Sequence, residues 1–243
     1  MKGMPPTAAI SIVCKTPGIG GGKSRLRPLL GEDQVARLSA CFIRDLAESV
    51  EALPPALGHQ GYAIYSPAGS EDVLRPLLPP GWRMVFRQAA TIGEVLDVST
   101  AAFLADGHDC ALVINADSPT LPVSVIGQAV VALRAPGDRV VLGPASDGGY
   151  YLVGLKRPHP RLFQEIAWST PEVLARTLER AAEIGLPAEL LPTWYDIDDA
   201  ETLALLEAEL AGRPLPFALP GLVGGPARHT RALLAERRVV QPS

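Results

Sequence analysis

Basic side chains and aspartates that could act together on a phosphate group occupy widely separated segments of the chain. A glycine-rich stretch at residues 15–31 carries the cations, namely Lys15, Lys23, Arg25 and Arg27. The carboxylates come later, namely Asp117, Asp196 and Asp198. Lysine and arginine neutralise phosphate charge, and Mg²⁺ is held by one or two carboxylates plus phosphate oxygens and waters. If folding brings the two sets together, they would suit a nucleotide bound with a divalent cation.

The segment LVINADSPTLP at residues 112–122 places Asp117 directly after an apolar run. The run at residues 111–114 is too short for a helix and lacks the alternation of a half-exposed strand. This pattern predicts a strand buried on both faces of a parallel sheet. Ligands of open α/β sheets bind outside the carboxyl ends of the strands, where Asp117 would lie. The alternative is that Asp117 only caps the helix that follows.

The glycine-rich stretch does not complete a P-loop pattern. Gly22, Lys23 and Ser24 match the end of the pattern, but Pro17 stands where the pattern needs a small residue. Counting from Gly18 leaves the loop one residue short. We therefore predict a flexible backbone whose amides and neighbouring cations meet an anion, which for four cations suits a triphosphate. An ordinary solvated basic loop is the alternative.

Two further segments carry candidate site residues. Alternation along an extended segment would put Asp196 and Asp198 on the same face, while Asp199 would cap a helix that begins near residue 200. One carboxylate from each half of the chain could then meet at one Mg²⁺.

In SDGGYYL, residues 146–152, two glycines allow the backbone to approach a ligand closely. Tyr150 and Tyr151 must point to opposite faces of a strand, so one of them can face a pocket. A simple hairpin without a ligand is equally compatible with this segment.

The elements that would position these residues alternate between strand and helix in the first half of the chain. We predict strands at residues 8–14, 62–65, 83–86 and 111–114, and helices from Glu32 to before Pro54, at residues 70–77 with Ser70 as the cap, and at residues 93–104. Such alternation favours a parallel sheet with right-handed crossovers.

The second half changes this rhythm. After a helix at residues 123–133, two β-rich runs at 139–142 and 150–155 predict a hairpin, followed by a helix from Pro171 to about residue 184 with Pro171 in its first turn. A short strand near residue 190 and a helix through residue 210 complete the pattern. We expect one domain over residues 1–210. Residues 211–243 would form a Pro/Gly-rich extension whose basic helix at 227–238 is either packed on the surface or mobile.

Composition limits the class of protein. The 243 residues are 47% hydrophobic and 20% charged, which predicts a globular domain, and the formal net charge of −4 argues against a nucleic-acid partner. The apolar run before residue 15 extends over about seven residues, too few for a signal or membrane segment, so we expect a cytoplasmic protein with no membrane partner. Cys14, Cys41 and Cys110 are far apart in apolar runs and predict reduced thiols rather than disulfides.

Five ordered motifs resemble those of an uncharacterised bacterial family of GT-A-fold nucleotide-dependent transferases. The motifs are KTPGIGGGKSRL, INADSPTLP, LGPASDGGYYLVGL, WSTPEVL and WYDIDDAETL, and the resemblance covers about residues 8–210. That family is similar to the molybdenum-cofactor guanylyltransferase MobA and the phospholactate guanylyltransferase CofC, and some members are described as glycosyltransferases of arsenosugar synthesis. The resemblance implies an α/β fold of the GT-A class, nucleotide-diphospho-sugar transferase-like and Rossmann-like, with a mixed, mostly parallel sheet flanked by helices.

Carried onto this sequence, the resemblance implies three groups of site residues. The nucleotide would be bound by Lys15, Pro17, Gly18, Lys23, Arg25, Gln88 and Gly93, and the catalytic residues would be Lys23, Arg25 and Asp117. The acceptor would be bound by Asp147, Gly148, Gly149, Tyr150, Trp168, Ser169 and Thr170. A cofactor metal, Mg²⁺ or Mn²⁺, would be held by Asp117 and Asp198, because IDDAETL matches a VDTPEDL-like segment of sugar nucleotidyltransferases.

Three hypotheses of function follow. The leading one is nucleotidyl transfer, in which a small phosphorylated or hydroxyl acceptor attacks the α-phosphorus of a nucleoside triphosphate and pyrophosphate leaves. A glycosyltransferase that uses a nucleoside diphosphate sugar would need the same nucleotide and metal sites. A non-catalytic nucleotide sensor that binds a partner protein is the third. The expected partners are therefore a nucleoside triphosphate or nucleotide sugar, a small-molecule acceptor and, in a homodimer, a second copy of the chain.

Overall fold

The computed structural model describes residues 7–19 and 21–240, with side chains up to residue 237. Residues 1–6, Gly20 and residues 241–243 lie outside the described part. The predictions for these residues therefore fall outside it. They concern the first residues of the expected domain and of the amino-terminal segment, one glycine of the basic loop and the end of the expected extension.

A seven-stranded sheet forms the centre of the molecule. Its strands are β1 (Ala8–Lys15), β2 (His59–Ser66), β3 (Arg83–Phe86), β4 (Cys110–Asn115), β5 (Val140–Pro144), β6 (Tyr150–Leu155) and β7 (Ala188–Leu190). The order across the sheet is β3-β2-β1-β4-β6-β5-β7, and β6 is antiparallel to both of its neighbours, while the other pairs are parallel. The predicted mixed, mostly parallel sheet is confirmed, and so is the hairpin of β5 and β6.

Helices cover both faces of this sheet. They are α1 (Arg27–Leu30), α2 (Glu32–Glu51), α3 (Glu71–Leu74), α4 (Ile92–Ala105), α5 (Val123–Arg134), α6 (Val173–Glu183), α7 (Ala200–Leu210) and α8 (Arg228–Val240). Short 3₁₀ turns lie at Pro55–Leu57, Arg75–Leu77 and Pro160–Phe163. Alternate residues of β1 face opposite ways, so Ile10 and Ile12 pack with α2 and α5, whereas Ala9 packs with α4 and α6. Each face of the sheet thus has its own hydrophobic core.

Three local predictions are wrong in detail. The basic loop contains a helical turn, α1, because Pro28 suits the first turn of a helix. Ser70 precedes α3 but does not cap it, since its hydroxyl donates to the carbonyl of Pro67 and pairs with Thr16 Oγ1 at 2.7 Å. Pro171 lies outside α6, which begins at Val173 after a turn, so the proline is not in the first turn of that helix.

The C-terminal helix is anchored to the domain by a side chain of α2. The carboxylate oxygens of Asp45 accept hydrogen bonds from the backbone amides of His229 and Thr230, both at 2.9 Å. These amides lie in the first turn of α8, where no carbonyl of the same helix is available to them. Leu233 and Leu234 are buried in the same core as α2. We propose that residues 211–237 are an integral part of the folded domain rather than a separate extension.

Replacing Asp45 with Ala should lower the free energy of unfolding by about 2–3 kcal/mol, because two amides of α8 lose a buried charged acceptor. Urea unfolding at pH 7 measures the loss, and hydrogen exchange should show it first in α8. Glu48→Ala is the matched control, since Glu48 meets His229 Nε2 at 2.8 Å on the exposed side of the same helix pair and should cost under about 1 kcal/mol. Equal losses in the two variants would mean that Asp45 does not anchor the helix.

Candidate active site

A cleft with two lobes opens beyond the carboxyl ends of β1 and β4. The acidic lobe has a volume of about 700 Å³, and the residues that line this lobe alone include Arg25, Asp147, Tyr150, Trp168, Thr170 and Asp196. The β2 lobe, of about 690 Å³, is lined by Cys14, Ser39, Tyr65, Arg87, Gln88 and Thr91. The wall between the lobes is formed by Val13, Lys15, Lys23, Ile92, Asn115, Asp117, Ser169 and Asp198. Except for Arg27, the cations and carboxylates singled out in the sequence thus line the same cleft. Arg27 lines neither lobe and pairs with Glu32 at 3.6 Å instead.

Lys23 and Asp117 form the central contact of this cleft. Lys23 Nζ lies 2.6 Å from Asp117 Oδ1 and donates a second hydrogen bond to the carbonyl of Ile197 at 2.7 Å. The ammonium also lies 4.9 Å from the centre of the Phe42 ring, a cation–π distance. Only 4% of the Lys23 side chain is exposed, against 39% for Asp117. The predicted phosphate-binding lysine is therefore already engaged by a carboxylate.

The segment with Asp196 and Asp198 is held between two other parts of the site by backbone hydrogen bonds. The amide of Ile197 donates to the carbonyl of Asp117 at 2.9 Å. On the other side, the amide of Ser146 donates to the carbonyl of Trp194, also at 2.9 Å. The two segments that the sequence predicted to meet therefore do so through main-chain contacts.

Three carboxylates gather on one side of the acidic lobe. Asp147, Asp196 and Asp198 each place one oxygen within 4.8 Å of the others. Burial, together with the charges of Asp147, Asp198 and Asp117, raises the pKa of Asp196 to about 7. Burial and the charge of Asp117 also raise the pKa of Asp198. Crowded carboxylates that share a partly buried site disfavour one another's ionisation, and a cation would relieve that repulsion.

The donors of this cluster fit a hard divalent cation, because all of them are carboxylate oxygens. Of the two predicted metal ligands, Asp198 belongs to this cluster, whereas Asp117 contacts Lys23. The resemblance assigns Asp147 to the acceptor, and the sequence identifies Asp196 only as a residue on the same face as Asp198. The position of Asp147 in the turn that follows β5 is the available signal, since this turn opens onto the same edge of the sheet.

Asp196→Asn should stabilise the metal-free protein at pH 8. The folded pKa of Asp196 is about 7, well above the ordinary 3.8, so folding opposes ionisation and stability falls as the pH rises from about 4 to about 7. Asparagine cannot ionise, and the expected gain is about 1–3 kcal/mol at pH 8, nearly vanishing at pH 4. Thermal unfolding with a chelator present measures it. A variant that melts at or below the wild-type temperature at pH 8 would contradict the repulsion inferred for this cluster.

The turn that carries Asp147 is fixed by a close backbone contact. Gly148 has φ of +94°, and a Cβ atom on it would lie 2.1 Å from the carbonyl oxygen of Pro171. The carbonyl of Gly148 also accepts a hydrogen bond from the amide of Leu174 at 2.9 Å. Asp147 itself accepts from the amide of Gly149 at 2.9 Å. Only glycine allows this approach, so Gly148 positions its neighbour and does not itself line the lobes.

Gly93 plays a similar packing role. A Cβ atom at this position would lie 2.4 Å from the Trp168 indole, which therefore packs directly on the first turn of α4. Trp168 in turn meets the Tyr150 ring edge-on, with 6.4 Å between the ring centres. The predicted acceptor residues Tyr150 and Trp168 thus form one aromatic wall of the acidic lobe, and Gly93 supports that wall.

Of the remaining predicted residues, three line the lobes and two do not. Gln88 lines the β2 lobe, Thr170 lines the acidic lobe, and Ser169 lies in the shared wall with φ of +63°. Pro17 and Gly18 line neither lobe. We keep these nucleotide and acceptor assignments as predictions, to be tested by substitution.

The cysteines are free thiols, with Cys14 and Cys110 buried and Cys41 half-buried. Cys14 lines the β2 lobe, where burial and then the charge of Asp117 raise its pKa to about 12. Its thiol donates to the carbonyl of Ile64 at 3.6 Å. Because a thiol with this pKa stays protonated at neutral pH, Cys14 is not a nucleophile for the cleft.

Comparison with a family model gives a first external relation. Residues 50–170 match the model described as an uncharacterized protein conserved in bacteria, DUF2064. The matched segment includes β2 to β6 and carries Asp117 and Asp147 of the cleft. No curated protein matches the sequence significantly.

Solved structures share the whole fold. A protein from Desulfovibrio desulfuricans G20, provisionally assigned as a nucleotide-diphospho-sugar transferase, gives a TM-score of 0.81 at 25% identity over 97% of both chains. CMP:2-keto-3-deoxy-manno-octonic acid synthetase with CTP gives 0.55 at 14% identity, over 85% of this chain and 99% of the other. Glucosyl-3-phosphoglycerate synthase from Mycobacterium tuberculosis, with Mn²⁺, UDP and phosphoglyceric acid, gives 0.50 at 14% identity, over 95% and 78%. The GT-A fold expected from the motifs is confirmed.

Among the described helices, none combines the length and the apolar character that a membrane crossing needs.

Proposed function

We propose that this chain is a metal-dependent nucleotidyltransferase, which moves a nucleoside monophosphate from a nucleoside triphosphate to a small acceptor and releases pyrophosphate. The observation that carries the proposal is the meeting of Lys15, Lys23, Arg25 and four aspartates in one cleft. The fold supports it, because the similar structures include a synthetase bound to CTP. Phosphoryl chemistry of this kind depends mostly on positioning and charge stabilisation, for which such a cleft is suited.

The two lobes suggest how the substrates divide. The β2 lobe, with Ser39, Gln88 and Thr91, would hold the nucleoside, and the acidic lobe would hold the acceptor against Tyr150 and Trp168. The shared wall, where Lys15 and Lys23 lie, would then hold the phosphates. Lys15 is exposed and lines both lobes, and no ion pair of its side chain is found within the described part of the chain, so it can meet a phosphate.

A divalent cation, Mg²⁺ or Mn²⁺, would be held by Asp198, with Asp117 on one side and Asp147 and Asp196 on the other. When bound, such a cation neutralises phosphate charge and polarises a phosphoryl oxygen. Lys23 and Arg25 would stabilise the charge that develops on the leaving pyrophosphate. Tyr150 and Trp168 would exclude water from one side of the acceptor. An acceptor that is already an anionic phosphate needs no general base.

A glycosyltransferase that uses a nucleoside diphosphate sugar is the second candidate. It is favoured by the likeness to the Desulfovibrio protein, which extends over nearly the whole of both chains. The nucleotide and metal sites would be the same, and the leaving group would be the nucleoside diphosphate. The finer relation to MobA, CofC or the arsenosugar enzymes stays a prediction, as does a homodimer.

The test is thermal unfolding against nucleoside triphosphates, diphosphates and nucleotide sugars, each with and without Mg²⁺. A ligand at 100 times its Kd stabilises by about 2.7 kcal/mol, roughly 5–10 °C for a chain of this size. The best ligand then enters a product assay. Release of pyrophosphate identifies nucleotidyl transfer, and release of a free nucleoside diphosphate identifies glycosyl transfer. If none of the ligands raises the unfolding temperature, the proposed nucleotide site is wrong.

A further inference from the structure

The ammonium group of Lys23 holds together the two segments that carry the predicted metal ligands. Its nitrogen has three N–H donors, and two of them are used by Asp117 and by the carbonyl of Ile197. Asp117 follows β4, and Ile197 stands directly before Asp198. The positive charge of Lys23 also opposes the rise in the pKa of Asp198. Lys23 therefore places its charge beside the carboxylates at which a cation would be expected to act.

We propose that Lys23 is a positioning residue that occupies Asp117 until a divalent cation replaces it, after which the released ammonium turns to the phosphates of the nucleotide. The inference rests on the proposed function in one respect, namely that Asp117 becomes a metal ligand. It assigns to Lys23 a role in ordering the steps, in addition to neutralising phosphate.

The Lys23 ammonium and a divalent cation are alternative partners of Asp117, because both are positively charged. Lys23 is almost fully buried, so its ammonium needs an anion, and Asp117 is the carboxylate that it contacts. A divalent cation on the same carboxylate would place like charges in contact, which is unfavourable at this degree of burial. Asp117 is 39% exposed, so an incoming cation can reach its outer face while Lys23 holds the inner one.

The position of Lys23 in the wall between the two lobes allows its side chain to change partner. Its backbone has φ of +53°, which is rarely adopted by residues other than glycine and indicates a conformation held by surrounding contacts. Lys23 lines both lobes, so rotation of its side chain would bring Nζ to a phosphate in either. Release of Asp117 would relax one of the contacts that hold this conformation.

The first test is the affinity of the metal-free protein for Mn²⁺ alone, measured by electron paramagnetic resonance. In Lys23→Met the competing cation is gone, and we expect binding about tenfold tighter than in the wild type. Lys15→Met is the matched control, because it removes an exposed lysine of the same wall for which no ion pair is found among residues 7–19 and 21–240. It should change Mn²⁺ affinity by less than about twofold. Unchanged or weaker binding in Lys23→Met would overturn the proposal.

A second test needs no substitution and covers the case in which Lys23→Met does not fold. Wild-type protein is labelled with an amine-acylating reagent, and modification of Lys23 and of Lys15 is measured by mass spectrometry. Lys23 should be protected without ligand, become several-fold more reactive with saturating Mn²⁺, and be protected again when a triphosphate is added. Lys15, which is exposed throughout, reports general reactivity. Labelling of Lys23 that does not respond to Mn²⁺ would overturn the proposal.

These tests are separate from the test of the proposed function, because neither needs turnover. Mn²⁺ exchange at Lys23 in a protein that forms no product would leave the positioning role intact and remove the transferase assignment. Turnover by a protein whose Lys23 stays on Asp117 throughout would keep the transferase assignment and remove the positioning role.

Discussion

Asp117→Asn is expected to lower turnover by about 10²–10³-fold while the protein stays folded. Asparagine keeps the size of the side chain, and the Asp117 carbonyl that accepts the amide of Ile197 is unchanged. The substitution removes the charge that would hold the cation and that pairs with Lys23 at 2.6 Å. Pyrophosphate release at saturating substrate measures the loss, and circular dichroism confirms that the fold is retained.

Asp72→Asn provides the control for this variant, since Asp72 is exposed on α3 and does not line either lobe. It should turn over at the wild-type rate. The wild-type protein should also gain thermal stability from the nucleotide and metal together, and Asp117→Asn should lose most of that gain. A variant with near-normal rates and an unchanged ligand-induced shift would remove Asp117 from the site.

Gly148→Ala is expected to lower the free energy of unfolding by about 2–4 kcal/mol and to abolish most activity. The new Cβ atom would lie 2.1 Å from the carbonyl oxygen of Pro171, and the backbone has φ of +94°. Backbone strain and overpacking each contribute, because neither of the two segments in contact can give way like a flexible side chain. Any shift of the turn moves Asp147, so turnover should fall further than stability alone explains. Urea unfolding and a rate measured below the unfolding transition separate the two effects.

Gly107→Ala isolates the contribution of the backbone. Gly107 has the same φ of +94°, but a Cβ atom there would meet nothing within 4 Å. This variant should lose only about 1–2 kcal/mol and keep full activity. If Gly148→Ala behaves like Gly107→Ala, the contact with Pro171 does not position Asp147.

The sequence determined the features that depend on neighbouring residues. The apolar run before Asp117 predicted a buried strand, and β4 extends over Cys110–Asn115 with Asp117 beyond its carboxyl end. Asp199 was predicted to cap a helix near residue 200, and its side chain accepts from the amide of Thr202 within a complete capping box of α7. Periodicity, capping and turn chemistry act over a few residues, so these patterns are present in the sequence itself.

Tertiary structure alone decided which distant side chains share a contact. Lys23 was predicted to meet phosphate, yet its first partner is Asp117, because the strand order places β1 beside β4. Gly93 was predicted to bind nucleotide, yet it makes room for Trp168. Asp147 joins Asp196 because β5 lies beside β7 and the turn after β5 bonds to the segment after β7. Local patterns specify the conformation of each segment, whereas the order of strands and the packing between segments decide which charges meet.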